Sequence, residues 1–342
     1  MTRDKKTVLL TGAGGNIGRE LVEMLVHRTW SYRPRVFDLD TPKNREYFDR
    51  FGNRIDTYFG DITNPDSIMD ATEGVDVVFH MASIIPPLAH DNPQLAYKVN
   101  VGGTRNLLDV LHKQAPNAQI IMASSVATYG DRFLNPFIKV GDPLIPAEGD
   151  SYAETKIEME KMIQTSGLRW TIYRLAAIMG AGNHNAPKLM FRMPLEQIIE
   201  ICTPRDTARA FVHTLEHLDE VEGKIFNLGG GPDCTTTYGE FLATNMEIYG
   251  LAPLDFPAHA FAQKNFHCGY YEDGEALEEI LHFRRDTLDD YYAMVRAKTP
   301  KLQQLATKAI SKIVKSYLLS KSEPYKAWVE QDEKAMKLYF RD

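Results

Sequence analysis

The chain has 342 residues, of which 44% are hydrophobic and 25% charged; this composition excludes disordered, collagen-like and fibrous classes. At roughly 150 residues per domain the length allows one large domain or two modest ones. The formal charge of −7, from 46 acids against 39 bases, gives no overall attraction to nucleic acid. No nucleic-acid motif is present, so no such partner is expected. Cys202, Cys234 and Cys268 are odd in number and lack C-x-x-C spacing, which argues against a disulfide framework or a zinc site and for a reducing, cytoplasmic setting. Polar residues to Lys6 run straight into Val8, Leu9 and Leu10, leaving no signal-peptide core, and no window reaches the apolar length of a membrane span.

From residue 7 to about 230, short β-branched runs alternate with helical patterns, the signature of an α/β, Rossmann-type doubly wound parallel sheet. Strands are expected at Thr7 to Thr11, Arg35 to Asp38, Arg54 to Phe59, Val75 to His80, Gln119 to Ala123, Thr171 to Leu175 and Lys224 to Leu228. After the first comes Thr11-Gly12-Ala13-Gly14-Gly15-Asn16-Ile17-Gly18, a glycine turn that aims backbone N–H groups at a phosphate from a helix N-terminus. Gly12, Gly15 and Gly18 are the expected contacts at the pyrophosphate turn and at the helix–sheet approach. The helix that follows carries Ile17, Leu21, Met24 and Leu25 on one stripe.

Asp38 ends the second strand 20 residues after Gly18, where a carboxylate accepts both adenine-ribose hydroxyls and repels a 2′-phosphate. NAD is therefore favoured over NADP. Arg19, Arg33 and Arg35 keep NADP open, because an arginine clamps that phosphate, and Asp40 is an alternative ribose contact. Further on, the strand ending at Ala123 delivers Ser124 and Ser125 to the sheet edge where such folds bind ligands. Tyr152 and Lys156 lie one turn apart on one helical face. A cation there favours the phenolate and lets the tyrosine exchange a proton, while a serine hydroxyl bonds the reacting oxygen.

Past residue 176 the alternation breaks. The expected division is a nucleotide-binding domain of 1–176 and 204–230, a smaller substrate domain of 177–203 and 231–300, and a helical extension of 301–342. The apolar loop Ile84 to Leu88 and the segment Leu189 to Leu195 are candidate linings of a substrate cleft, with core packing the alternative for the methionines. His184 is a candidate polar contact. In the extension, Leu302, Leu305, Ala306, Ala309, Ile310, Ile313, Val314 and Tyr317 share a helical stripe among lysines. Such a helix packs on its own domain, pairs with a partner, or lies on an anionic membrane surface; packing is favoured. Residues 291–322 hold seven bases and no acid, leaving −14 for the rest of the chain.

In their order these motifs resemble the extended short-chain dehydrogenase/reductase family, and within it the NAD-dependent epimerase/dehydratase group. The match runs over T-G-x-x-G-x-x-G at Thr11 to Gly18, Asp38, Gly60-Asp61-Ile62 and His80-Met81-Ala82-Ser83. It continues through Asn100-Val101-Gly102-Gly103-Thr104, Asn106-Leu107-Leu108, Ser124-Ser125 with Tyr129-Gly130, and Tyr152 with Lys156. The resemblance implies that Asp61 and Ile62 hold adenine and that Ala82 and Ser83 border the nicotinamide side. It also implies that Asn100 sustains a water relay to Lys156, that Ser125 rather than Ser124 is the catalytic serine, and that the chain forms a homodimer. The helices near 101–114 and 151–166 would supply that contact, through Leu107, Val110, Leu111, Ile157 and Met162. Two departures narrow the chemistry. Val126 and Ala127 stand where dehydratases carry an Asp-Glu pair, and Ala177 replaces an asparagine that holds a nucleotide-sugar diphosphate.

The expected activity is that of an NAD-dependent oxidoreductase acting on a small-molecule substrate, a secondary alcohol interconverted with a ketone by Ser125, Tyr152, Lys156 and Asn100. One alternative is an epimerase of a (nucleotide-)sugar that passes through a transient ketone. A second alternative is a non-catalytic NAD-binding sensor.

Overall fold

Seven parallel strands form the centre of the computed structural model, which describes residues 5–181 and 187–341. They are β1 (Lys6–Thr11), β2 (Tyr32–Asp38), β3 (Asp56–Phe59), β4 (Val77–His80), β5 (Gln119–Ser125), β6 (Arg169–Leu175) and β7 (Lys224–Leu228), in the order β7-β6-β5-β4-β1-β2-β3. The order reverses between β1 and β4, which opens a crevice at the carboxyl ends of these two strands. All seven expected strands are present. Their near-continuous apolar runs follow from burial on both faces.

The alternation within β1 shows how the layers are filled. Val8 and Leu10 face a core with Leu21 and Leu25 of α1 (Asn16–Val26) and Phe211 of α5 (Pro204–Thr214). Leu9 faces the opposite core with Leu107 and Leu111 of α3 (Gly103–Gln114) and Met159 and Ile163 of α4 (Ser151–Gln164). Leu107, Val110 and Leu111 are buried inside their own chain. They therefore cannot supply the apolar dimer surface expected of them, because the inner face of the helix is spent on the sheet. Only Ile157 and Met162 of that set are partly exposed.

Beyond the sheet, Ala177–Ile178 pairs in parallel with Ile198–Cys202, which pairs antiparallel with Thr235–Thr237. A separate core forms there around Ile199, Ile201, Phe241 and Tyr291. Met193 belongs to it and Met190 packs against it, so these two methionines are packing residues. His184 lies outside the described residues. The three cysteines are buried and free.

The C-terminal stripe is not one helix. It breaks at Ile310 into α6 (Lys301–Ala309) and α7 (Ser311–Leu319); no residue of either is fully buried, and of the stripe only Val314 packs against the neighbouring core. By contrast α8 (Glu323–Glu330) and α9 (Glu333–Tyr339) are tied down: Arg192 pairs with Glu323 at 2.5 Å, and the Gln263 amide donates to the Tyr339 carbonyl at 2.7 Å. Among the described residues no helix is long and apolar enough to cross a membrane.

Candidate active site

The glycine loop closes over the reversal point of the sheet. Gly12 has φ +72°, and a Cβ there would sit 2.7 Å from the Ala82 amide nitrogen, so only glycine fits. A Cβ on Gly18 would strike the Gly12 carbonyl, which is why α1 can start against the loop. Gly15 stands at the cap of α1 without a side-chain acceptor. The first-turn backbone of α1, at Asn16 and Ile17, thus faces the crevice with the positive end of the helix dipole.

Asp38 is held beside this loop. Its carboxylate accepts from the Gly14 amide at 2.7 Å, the Leu39 amide at 2.7 Å and the side-chain amide of Asn44 on α2 (Pro42–Asp49) at 3.1 Å. Asp40 instead pairs with Arg45 at 2.5 Å. Of the three arginines that kept a phosphate clamp open, Arg33 pairs with Asp56 at 2.6 Å and Arg35 donates to the Ala71 and Glu73 carbonyls, both at 2.8 Å. Arg19 alone stays at the loop, donating to the Gly14 carbonyl at 2.9 Å and lying 4.1 Å from the centre of the Tyr47 ring.

After β3, Asp61 accepts from the Thr63 amide at 2.9 Å, so it shapes a turn. The Ile62 side chain is buried in the core, and its carbonyl accepts from the Asn106 side-chain amide at 3.1 Å. Ala82 lies against Gly12, its amide 3.3 Å from Thr11 Oγ1. Two buried polar atoms here, Ser83 Oγ and Arg19 Nη2, have no hydrogen-bond partner among the described residues. An orphaned hydroxyl next to Ala82 and an orphaned guanidinium nitrogen at the glycine loop fit a cleft made for an extended polar, anionic cofactor.

The two serines of β5 diverge. Ser124 donates to Glu160 at 2.5 Å, inside a buried ion pair of Glu160 with Arg174 at 2.7 Å. Ser125 turns the other way and accepts from the Ala127 amide at 3.2 Å. Burial pushes the Tyr152 hydroxyl well above the usual tyrosine range, and the neighbouring Ser125 hydroxyl opposes this. Lys156, also buried, donates to the Ala123 carbonyl at 2.8 Å, with its nitrogen 5.7 Å from the Tyr152 ring centre. Burial pulls it down to about 7, against the raising influence of Glu160. Tyr152, Lys156 and Ser125 are thus brought together at the carboxyl end of β5.

Asn100 is fixed beside the site by its side chain. It sits in a π-helical turn, Lys98–Gly102. Its side chain accepts from the Ile84 amide at 2.7 Å and donates to the Ile84 carbonyl and to Thr155 Oγ1, both at 3.0 Å. It clamps the 84–88 loop to the helix of Tyr152. Behind it runs a buried chain to which the sequence reading assigned no role. Thr104 donates to the Asn100 carbonyl at 2.5 Å, so it must accept from His80 Nε2 at 2.9 Å; His80 Nδ1 then accepts from Thr11 at 2.9 Å. That order fixes the neutral Nε2–H tautomer, and burial holds His80 down at about 3. Also unforeseen, Asp150 caps α4 through the Ala153 amide at 3.0 Å and is flanked by His90 at 3.2 Å and His267 at 2.8 Å. A cap-forming acid two residues before Tyr152 was the available sequence signal.

The family model described as NAD dependent epimerase/dehydratase family matches residues 8–229. The chain belongs to this family. Among relatives of the epimerase/dehydratase chain is a 3 beta-hydroxysteroid dehydrogenase/Delta 5→4-isomerase of Mycobacterium tuberculosis, 27% identical over 232 residues, which are 64% of this chain and 60% of that protein. A sterol-4-alpha-carboxylate 3-dehydrogenase, decarboxylating, of Bos taurus is 33% identical over 161 residues, 46% of this chain and 41% of that protein. The chain therefore spans less than two thirds of the length of these relatives. A short-chain dehydrogenase/reductase superfamily protein from Agrobacterium tumefaciens, solved with NAD, superposes with a TM-score of 0.67 at 22% identity, covering 89% of this chain and 99% of that one. It shares the fold.

Proposed function

We propose that this epimerase/dehydratase family member is an NAD-dependent oxidoreductase that interconverts a secondary alcohol and a ketone on an apolar, hydroxysteroid-like substrate. The observation that carries the reading is the meeting of Ser125, Tyr152 and Lys156 at the end of β5, alongside a glycine loop to which Asp38 is hydrogen-bonded. NAD, when bound, supplies the hydride acceptor. Gly12, Gly15, Asn16, Ile17 and Gly18 would face its pyrophosphate, Asp38 its adenine ribose, Asp61 and Ile62 its adenine, and Ala82 and Ser83 its nicotinamide side. Tyr152 takes the hydroxyl proton, Ser125 bonds the reacting oxygen, Lys156 favours the phenolate, and Asn100 holds the loop that walls the site.

The substrate class is supported by the hydroxysteroid and sterol dehydrogenases among the relatives. The absence of an acid pair at Val126 and Ala127 and of an asparagine at Ala177 argues against sugar-nucleotide dehydration. The same reading assigns 1–176 and 204–230 to the nucleotide, and 177–203 and 231–300 to the substrate. We place the protein in a reducing, cytoplasmic compartment on its three free cysteines, and a homodimer remains part of the reading.

The test is to supply NAD with a 3β-hydroxysteroid and follow NADH absorbance for the wild type and Tyr152→Phe. Net NADH formed by the wild type and lost in the variant is the expected result. Turnover of a sugar nucleotide without net NADH would replace this reading with epimerisation.

A further inference from the structure

The C-terminal pair α6 and α7 is inside out. Its inward side docks through polar groups and a few aliphatic contacts. Gln304 donates to the Glu247 carbonyl at 3.2 Å, Lys315 donates to the Pro253 carbonyl at 2.6 Å and pairs with Asp255, and Val314 and Leu318 rest against the neighbouring core. The outward side carries Leu302, Leu305, Ile310, Ile313 and Tyr317, exposed by 80%, 63%, 50%, 71% and 57%. These residues fall at helical spacing along one stripe interrupted only by the break at Ile310. Five large apolar side chains lined up in water are unfavourable unless something covers them.

Charge says what covers them. Lys301, Lys308 and Lys312 are exposed on the same two helices, Lys321 lies 5.1 Å from the Tyr317 ring centre, and Arg296 and Lys298 precede them. The whole stretch 291–322 contains no acid. A second copy would bring the same bases to a symmetric interface and repel. An apolar stripe bordered by lysines, with a tyrosine at its margin, suits the boundary of an anionic bilayer, where the stripe enters the acyl region and the lysines meet phosphates. We infer that α6 and α7 form a membrane-surface anchor that docks this protein on anionic lipid without spanning it. This does not depend on which substrate the active site takes.

The full chain is mixed with phosphatidylcholine vesicles with and without phosphatidylglycerol, and the vesicle-bound fraction is read by flotation. Binding to the anionic vesicles is expected to exceed that to the neutral ones by about tenfold or more, and to fall as salt rises. Leu305→Glu with Ile313→Glu should abolish it, and Lys308→Gln with Lys312→Gln should weaken it, both with unchanged thermal unfolding. The salt titration of the wild type keeps the test open should a variant misfold. Equal binding of wild type and variants, no wild-type binding, or a change of oligomeric state by the Glu variant without vesicle binding would overturn the inference.

Discussion

Tyr152 and Lys156 are buried side by side, and burial disfavours the charged form of each, pushing the phenol up and the amine down to about 7. The Ser125 hydroxyl draws the phenol down and Glu160 draws the amine up, so neither group is set by burial alone. Tyr152→Phe should therefore lower turnover by roughly 10²- to 10⁴-fold while NAD affinity, read by fluorescence titration, changes little. Asp38→Asn should weaken NAD by about 1–2 kcal/mol, a charged hydrogen-bond acceptor being lost, and raise the relative affinity for NADP; unchanged selectivity in paired titrations would count against the ribose role. His80 makes a prediction about pH. Its folded value near 3 lies below its ordinary 6.5, so the unfolded chain binds the proton first. The stability this group contributes is complete above 6.5 and drains away as pH falls toward 3, by a few kcal/mol. His80→Gln should flatten that part of the melting-temperature profile, and a parallel profile would show that His80 does not set it.

At the scale of elements, α4 is locked to the sheet by the buried Glu160–Arg174 pair and the Ser124 hydroxyl. Glu160→Gln leaves a buried guanidinium without its counter-charge and should cost about 3–5 kcal/mol, read as a lower urea midpoint. The strands and the glycine loop were legible in the sequence because two-sided burial and positive φ each leave a local trace, in apolar runs and in Gly12. Asn44 was not, because its bond to Asp38 bridges an intervening turn that no periodicity records. The stripe from Leu302 to Tyr317 was legible as amphipathic, but not which side faces inward. That depends on Gln304 and Lys315 meeting carbonyls of Glu247 and Pro253, contacts made at long range. The same limit misplaced Leu107 and Leu111 on a surface, since helix spacing marks an apolar face without naming what it meets.

The molecule as a whole joins unlike parts: a basic segment, 291–322, carrying +7, and the rest of the chain carrying −14. The body places Tyr152 and the glycine loop on one sheet edge, and the tail helices α8 and α9 fold back to meet Arg192 and Gln263 beside the pocket of about 110 Å³ that His90, Asp150 and His267 line. The most direct test of the central claim is a single-turnover mixture of protein, NAD and a 3β-hydroxysteroid, with NADH absorbance and the ketone product measured together. Stoichiometric NADH and ketone, both absent with Tyr152→Phe, is the result predicted. Bound NAD with neither product across a panel of apolar secondary alcohols would contradict it.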